Sequence, residues 1–100
     1  MSFEKIWSRR ASRDLVRILE YLDSRDSDWA DAVQEAIEEK LEFISQTPFL
    51  SSIYDITPFG EIREVLANNY RIFFMVNEHD RVVRIKGIQH TRQQDPDFSE

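Results

Sequence analysis

The chain has 100 residues, is 41% hydrophobic with seven Phe and two Trp, and carries a formal net charge of −6. That length suits one small domain with one core, spanning residues 1–100, and the composition excludes a disordered chain. There is no cysteine, which excludes disulfides and thiolate chemistry. There is also no apolar run of about 18 residues and no apolar stretch behind MSFEKIW, so neither a membrane span nor a signal peptide is expected, and a cytoplasmic location is.

Phe3–Ser8, FEKIWS, reads as a short strand from its aromatic and β-branched content. Ser8 and Ser12 both suit the N-cap of a following helix. Over Arg10–Leu22 that helix shows Leu15, Ile18, Leu19 and Leu22 at i, i+3, i+4 and i+7, with Ala11 extending the stripe backwards. Asp23–Ser27 is polar and short, as a tight connection requires. Ser27 is the expected cap of a second helix, whose stripe is Ala30, Val33, Ile37, Leu41 and Ile44. Its opposite face is acidic, with Asp31, Glu35, Glu38, Glu39 and Glu42, and Thr47–Pro48 stops it.

Phe49–Gly60 is irregular and apolar, and is expected to be a loop packed across the helices. Glu61–Leu66 reads as a strand, followed by a turn at Ala67–Asn69 in which the asparagines suit positive φ. Tyr70–Asn77 alternates cleanly, Glu78–Asp80 turns the chain, and Arg81–Thr91 alternates again. The expected class is α+β: an N-terminal strand, an antiparallel helical hairpin, and a three-stranded antiparallel meander (β-α-α-β-β-β). The final QQDPDFSE is expected to fray from about residue 93.

A sheet this small must bury one face against the helices. Ile72, Phe74, Val76, Val83 and Ile85 form the expected inner face. With Leu15, Ile18, Leu19, Leu22, Val33, Ile37 and Leu41 they complete the core. The other face then gathers Arg71, Arg84, Lys86 and His90, with Arg63 joining if its strand is in register. Phe73 and Met75 lie among these cations, either as an exposed partner surface or covered by a loop or the C-terminal tail.

The charge is uneven. Residues 1–59 hold 7 basic and 12 acidic residues, residues 60–92 hold 6 and 4, and residues 93–100 hold none and three. An acidic chain is a poor non-specific nucleic-acid binder, yet a local basic face can still act. Phosphate-binding, nucleotide-binding, zinc-protease and Cys-pair motifs are all absent, and His79 and His90 have no third ligand beside them, so no cofactor and no metal are expected. For metal-free RNA cleavage, cations must hold the charge developing on phosphate. His90 could then serve as acid or base, and Glu61 or Glu64 as an alternative base.

The segments IWSRRASRDLVRILEYL (Ile6–Leu22), REVLANNYRIFFMV (Arg63–Val76) and VVRIKGIQHTRQ (Val82–Gln93) together resemble the RelE/ParE superfamily of bacterial type II toxins, also called plasmid stabilisation proteins. The resemblance covers nearly the whole chain. It implies a helical hairpin on a small antiparallel sheet and a small antitoxin partner. The RelE-like branch cleaves mRNA on the ribosome without a metal, while the ParE-like branch poisons DNA gyrase and lacks the nuclease residues. Against the ribonuclease pattern, Arg71 stands at the family's strand arginine and His90 at its terminal histidine or tyrosine. Arg63 and Glu64 occupy the preceding strand, where those members use lysine, arginine or glutamate. A nuclease would use His90, Arg71, Glu64 and Lys86. The acidic chain, the tail without a tyrosine and the long hairpin resemble the ParE-like branch more closely. There Arg63, Arg71, Arg84, Lys86 and Arg92 would bind gyrase rather than catalyse. Phe73, Met75, Glu35, Glu38, Glu39 and Glu42 would meet the antitoxin. A family member that keeps only its partner binding is the remaining alternative.

Overall fold

A computed structural model describes residues 2–96 and Phe98. The elements are β1 (Glu4–Trp7), α1 (Arg9–Asp23), α2 (Ser27–Gln46), a 3-10 turn (Pro48–Leu50), β2 (Ser52–Thr57), β3 (Gly60–Ala67), β4 (Tyr70–Asn77) and β5 (Val82–His90). They form the expected helical hairpin and antiparallel meander, in one five-stranded sheet of order β1-β5-β4-β3-β2. β1 is parallel to β5, and every other pairing is antiparallel. Among the described residues, no helix is long and apolar enough to cross a membrane.

Local chemistry explains the element ends. Ser8 Oγ accepts from the Ala11 amide and caps α1. α2 is capped by Asp26 rather than by Ser27: its carboxylate accepts from the amides of Asp28 and Trp29. A carboxylate is the better acceptor at the positive end of a helix. Asn68 takes the left-handed conformation (φ 57°) in the β3–β4 turn, as its sequence suggested.

The segment expected to be a loop contains a strand. Ser52–Thr57 pairs with β3 and leaves an extra residue, Tyr54, between the Ile53–Arg63 and Asp55–Ile62 pairs. The Ile-Tyr-Asp-Ile-Thr content was the available signal; the flanking prolines and Gly60 hid it.

One face of the sheet packs on the helices. Tyr70, Ile72, Phe74, Val83, Ile85 and Ile88 join Ala11, Leu22, Ala30, Val33, Ile37, Leu41 and Ile44 in a single core. Leu15 and Ile18 pack against it partly buried. Leu19 does not belong to it; it lies half-buried in a shallow surface groove with Glu20, Asp23 and Gln34. The stripe on α1 is therefore centred on Leu15, Ile18 and Leu22, with Leu19 at its margin.

β5 departs from strict alternation. Phe73 opposes Gly87 and Phe74 opposes Ile85, so Lys86 is an extra residue, a β-bulge. Beyond it the alternation is inverted, and Ile88 faces Ile72 in the core. The outer edge of β5 loses its strand partner here, because β1 ends opposite Ile85. The start of α1 replaces that partner. The Ser8 amide donates to the Ile85 carbonyl at 3.0 Å, Ser8 Oγ to the Lys86 carbonyl at 3.2 Å, and the Ile88 amide to Asp14 Oδ2 at 3.0 Å.

Two outcomes test this arrangement. Leu22, 1% exposed, should cost about 2–5 kcal/mol on truncation to alanine, and Leu19→Ala clearly less, both read by urea unfolding. Asp14→Ala should cost about 1–3 kcal/mol, because it strips the Ile88 amide of its acceptor, and should speed hydrogen exchange at that amide.

Candidate functional site

The bulge decides where the predicted site residues stand. Directly opposed residues share a face, so Arg71 and Gln89 lie on the side away from the helices, while His90 lies with Tyr70 on the helix side. His90 was expected beside Arg71; the inverted alternation after Lys86 turns it to the opposite face. Its ring meets Tyr70 edge-on at 5.3 Å, and its Nδ1 accepts from the Arg92 amide at 3.1 Å. Accepting there leaves the ring proton on Nε2 in the neutral form. Burial, and then the charge of Tyr21, hold the Tyr70 phenol above its ordinary value.

Arg63 also leaves the expected cationic face. It opposes Phe74, so it points to the helix side at the sheet margin. There Nη1 donates to the carbonyls of Ser51 (2.6 Å) and Phe49 (3.4 Å), Nη2 to Glu61 at 3.2 Å, and the guanidinium lies 5.2 Å from the Phe49 ring centre. It clamps the 3-10 turn to β3, which gives it a fully structural set of partners.

Arg71 is on the open face but is not free. Nε and Nη2 both donate to Glu64 Oε2, at 3.0 and 2.7 Å, and Nη1 donates to Asp95 Oδ1 at 2.9 Å. Burial works against its charge, but the carboxylates of Asp95 and Glu64 outweigh that and hold the guanidinium above its usual range. Its plane stacks on Phe73 and Tyr54, at 4.7 and 5.2 Å.

Phe73 is 0% exposed. Of the two readings open for it, exposed or covered, the covered one holds. Tyr54, placed by the irregularity in β2, covers it edge-on at 4.9 Å, and Phe98 covers it at 5.2 Å. Where the sequence led to an expected frayed tail from about residue 93, Asp95, Pro96 and Phe98 are seated on the sheet; Asp97, Ser99 and Glu100 lie outside the described residues.

Met75 is half-buried. It lines an open groove of about 570 Å³ with Ile6, Phe59, Val82, Arg84 and Lys86. Arg84 and Lys86 are thus brought together on the open face, while Arg92 lies exposed beyond the end of β5. Glu35, Glu38, Glu39 and Glu42 are all exposed along α2. Glu42 also holds Lys5 at 3.3 Å; hydrogen bonds from Gln46 and then Lys5 keep its carboxyl below the ordinary range.

The candidate nuclease set is therefore split. Arg71 and Glu64 are engaged with each other, Lys86 is on the bulge, and His90 is across the sheet.

The sequence profile described as "ParE toxin of type II toxin-antitoxin system, parDE" matches residues 6–95. The chain belongs to that toxin family. The fold is shared with a solved chromosomal ParDE toxin–antitoxin system from P. aeruginosa. That match has a TM-score of 0.71 and 17% identity, over 89% of this chain and 96% of the other. The RelBE2 toxin–antitoxin complex of Mycobacterium tuberculosis matches with a TM-score of 0.64 and 16% identity, over 90% and 99% of the two chains. A mutant of the E. coli toxin RelE in the free state matches with a TM-score of 0.61 and 16% identity, over 92% and 86%. No curated protein matches the chain. At such identities the family fold is common ground, and the site residues have to be judged from this chain's own geometry.

Proposed function

We propose that this toxin acts by binding, as an inhibitor of DNA gyrase in the cytoplasm that a cognate antitoxin neutralises. The observation that carries this reading is the separation of His90 from Arg71 by the thickness of the sheet. General acid–base catalysis needs the proton-transfer group within hydrogen-bond reach of the atoms that the cations hold. A histidine packed on Tyr70, with Nδ1 occupied by a backbone amide, is a structural residue. The net charge of −6 also suits a protein target better than the phosphate-rich ribosome. Arg84 and Lys86, beside the apolar Phe59, Met75 and Ile6, are the contacts assigned to the target.

The antitoxin is assigned to α2 and its neighbourhood. Glu35 and Glu39 precede Phe43 at four-residue spacing and so share its face of the helix. Phe43, Leu50 and Leu66 are exposed, and they line one groove beside the end of β3. A basic amphipathic segment would meet both the carboxylates and the apolar groove; the charges steer its approach, and the groove holds it. Phe73 is withdrawn from this surface because it is buried.

Induced expression without the antitoxin tests the target. DNA breaks should accumulate while protein synthesis continues at first and transcripts stay whole. Early loss of synthesis with cut transcripts would replace this reading by mRNA cleavage, and unimpeded growth would replace it by partner binding alone. His90→Ala should leave growth arrest nearly intact, not lower it by the roughly 10²–10⁴-fold expected for a lost general acid or base. Charge reversal at Glu35 and Glu39 should slow antitoxin association and weaken its salt dependence, read by stopped-flow kinetics.

A further inference from the structure

The open face carries a second apolar cluster that neither the target nor the antitoxin surface uses. Ile62 and Phe73 are 1% and 0% exposed, yet both point away from the helices. The cover of Phe73 comes partly from outside the sheet, from Phe98 of the C-terminal segment.

Contacts at Asp95, Pro96 and Phe98 seat that segment. Asp95 pairs with Arg71 at 2.9 Å, Tyr54 Oη donates to the Pro96 carbonyl at 3.2 Å, and the Phe98 ring lies 5.2 Å from Phe73. Arg10 stacks over the same ring at 4.6 Å. Gly87 makes room for it: a Cβ there would stand 3.1 Å from Phe98 Cε1 and 3.2 Å from Asp14 Oδ2, tighter than ordinary contact. Pro96 limits the freedom of the link between the two anchors. The family match stops at residue 95, so the ring lies beyond it.

The seat has a readable chemistry. Arg71 is already held by Glu64 and has one nitrogen left for a single further carboxylate. Beside it is an apolar slot for one ring. Gln89, directly opposite Arg71, has a buried Oε1 with no hydrogen-bond partner among the described residues, an acceptor that one backbone N–H would satisfy. Asp95 itself is 74% exposed at its side chain, so its ion pair is screened and the ring supplies much of the hold.

We propose that Asp95, Pro96 and Phe98 act as a self-inserted ligand, and that the Arg71–Phe73–Gly87 seat is an interaction surface for an extended acidic segment of another protein. That segment carries a carboxylate followed, three residues on, by an aromatic ring. The occupant is a polypeptide and not a nucleic acid, because Glu64 leaves Arg71 too little unpaired charge for a phosphate backbone. The tethered tail competes at an effective concentration on the order of millimolar, so the incoming segment must add contacts, of which the Gln89 acceptor offers one. None of this depends on the toxin's target.

The test uses the full chain and amide NMR. F98A should move the Gly87 amide, which loses the ring above it, and D95N should move the Arg71 Nε–H signal. The free peptide QQDPDFSE, added to the F98A chain, should return Gly87 toward its original position with millimolar affinity. The same peptide carrying F98A should bind about tenfold more weakly, the equivalent of one lost ring contact. The proposal is overturned if Gly87 and Arg71 are unmoved by both substitutions, or if the peptide leaves Gly87 unshifted. It is also overturned if octathymidylate moves these signals further than the peptide does at equal concentration.

Discussion

A single extra residue in β5 organises much of this molecule. With Lys86 bulged, Ile85 and Ile88 both reach the core, although they are an odd number of residues apart. The same bulge coincides with the point where β1 ends, so the backbone of β5 must find other partners. Ser8 and Asp14, from the cap and second turn of α1, supply them. An exposed strand edge is thereby closed by a helix start, which removes a site of unwanted pairing and fixes the approach of α1 to the sheet. Gly87, next to the bulge, leaves the only kind of surface on which an aromatic ring can lie this close to the strand.

The consequence is a two-sided sheet with different chemistry on each side. The helix side is a continuous apolar core with His90 and Arg63 at its margins, both satisfied by backbone groups. The far side is a mosaic: an aromatic cluster of Tyr54, Phe73 and Phe98, with Arg71 over the first two and Arg10 over the third, and a groove with Arg84 and Lys86. Four of the six cations in residues 60–92 are divided among three tasks. Arg63 clamps a turn, Arg71 orders the tail and β3, and Arg84 with Lys86 faces an open groove. A net excess of cations in a segment does not translate into one cationic site when Arg63 and Arg71 already have carboxylate or carbonyl partners.

The same division shows how strongly one residue controls the make-up of each face. In β5 the extra residue sets His90 on the face opposite Arg71 while the pairing on either side and the core stay intact. One inserted residue is enough, because side chains alternate with period two.

The sequence by itself determined the hairpin of helices, the meander and the core stripes. These follow from periodicity: Ala30, Val33, Ile37, Leu41 and Ile44 can share a face only on a helix, and Tyr70–Asn77 only on a strand. The family resemblance was legible in the segments Ile6–Leu22, Arg63–Val76 and Val82–Gln93 taken in order. Three things were settled by tertiary structure alone. Strand β2 was hidden by its flanking prolines, and its pairing with β3 is a long-range event that local content only hints at. The face of His90 was decided by the bulge; Gly87 in the middle of a strand pattern was the one available sign. The tail's fate depended on contacts across the chain, Asp95 with Arg71 and Phe98 with Phe73 and Gly87. Alternation fixes which side chains share a face within a strand, but where that alternation slips, and what covers the face it leaves open, is fixed only when the strands and the tail meet.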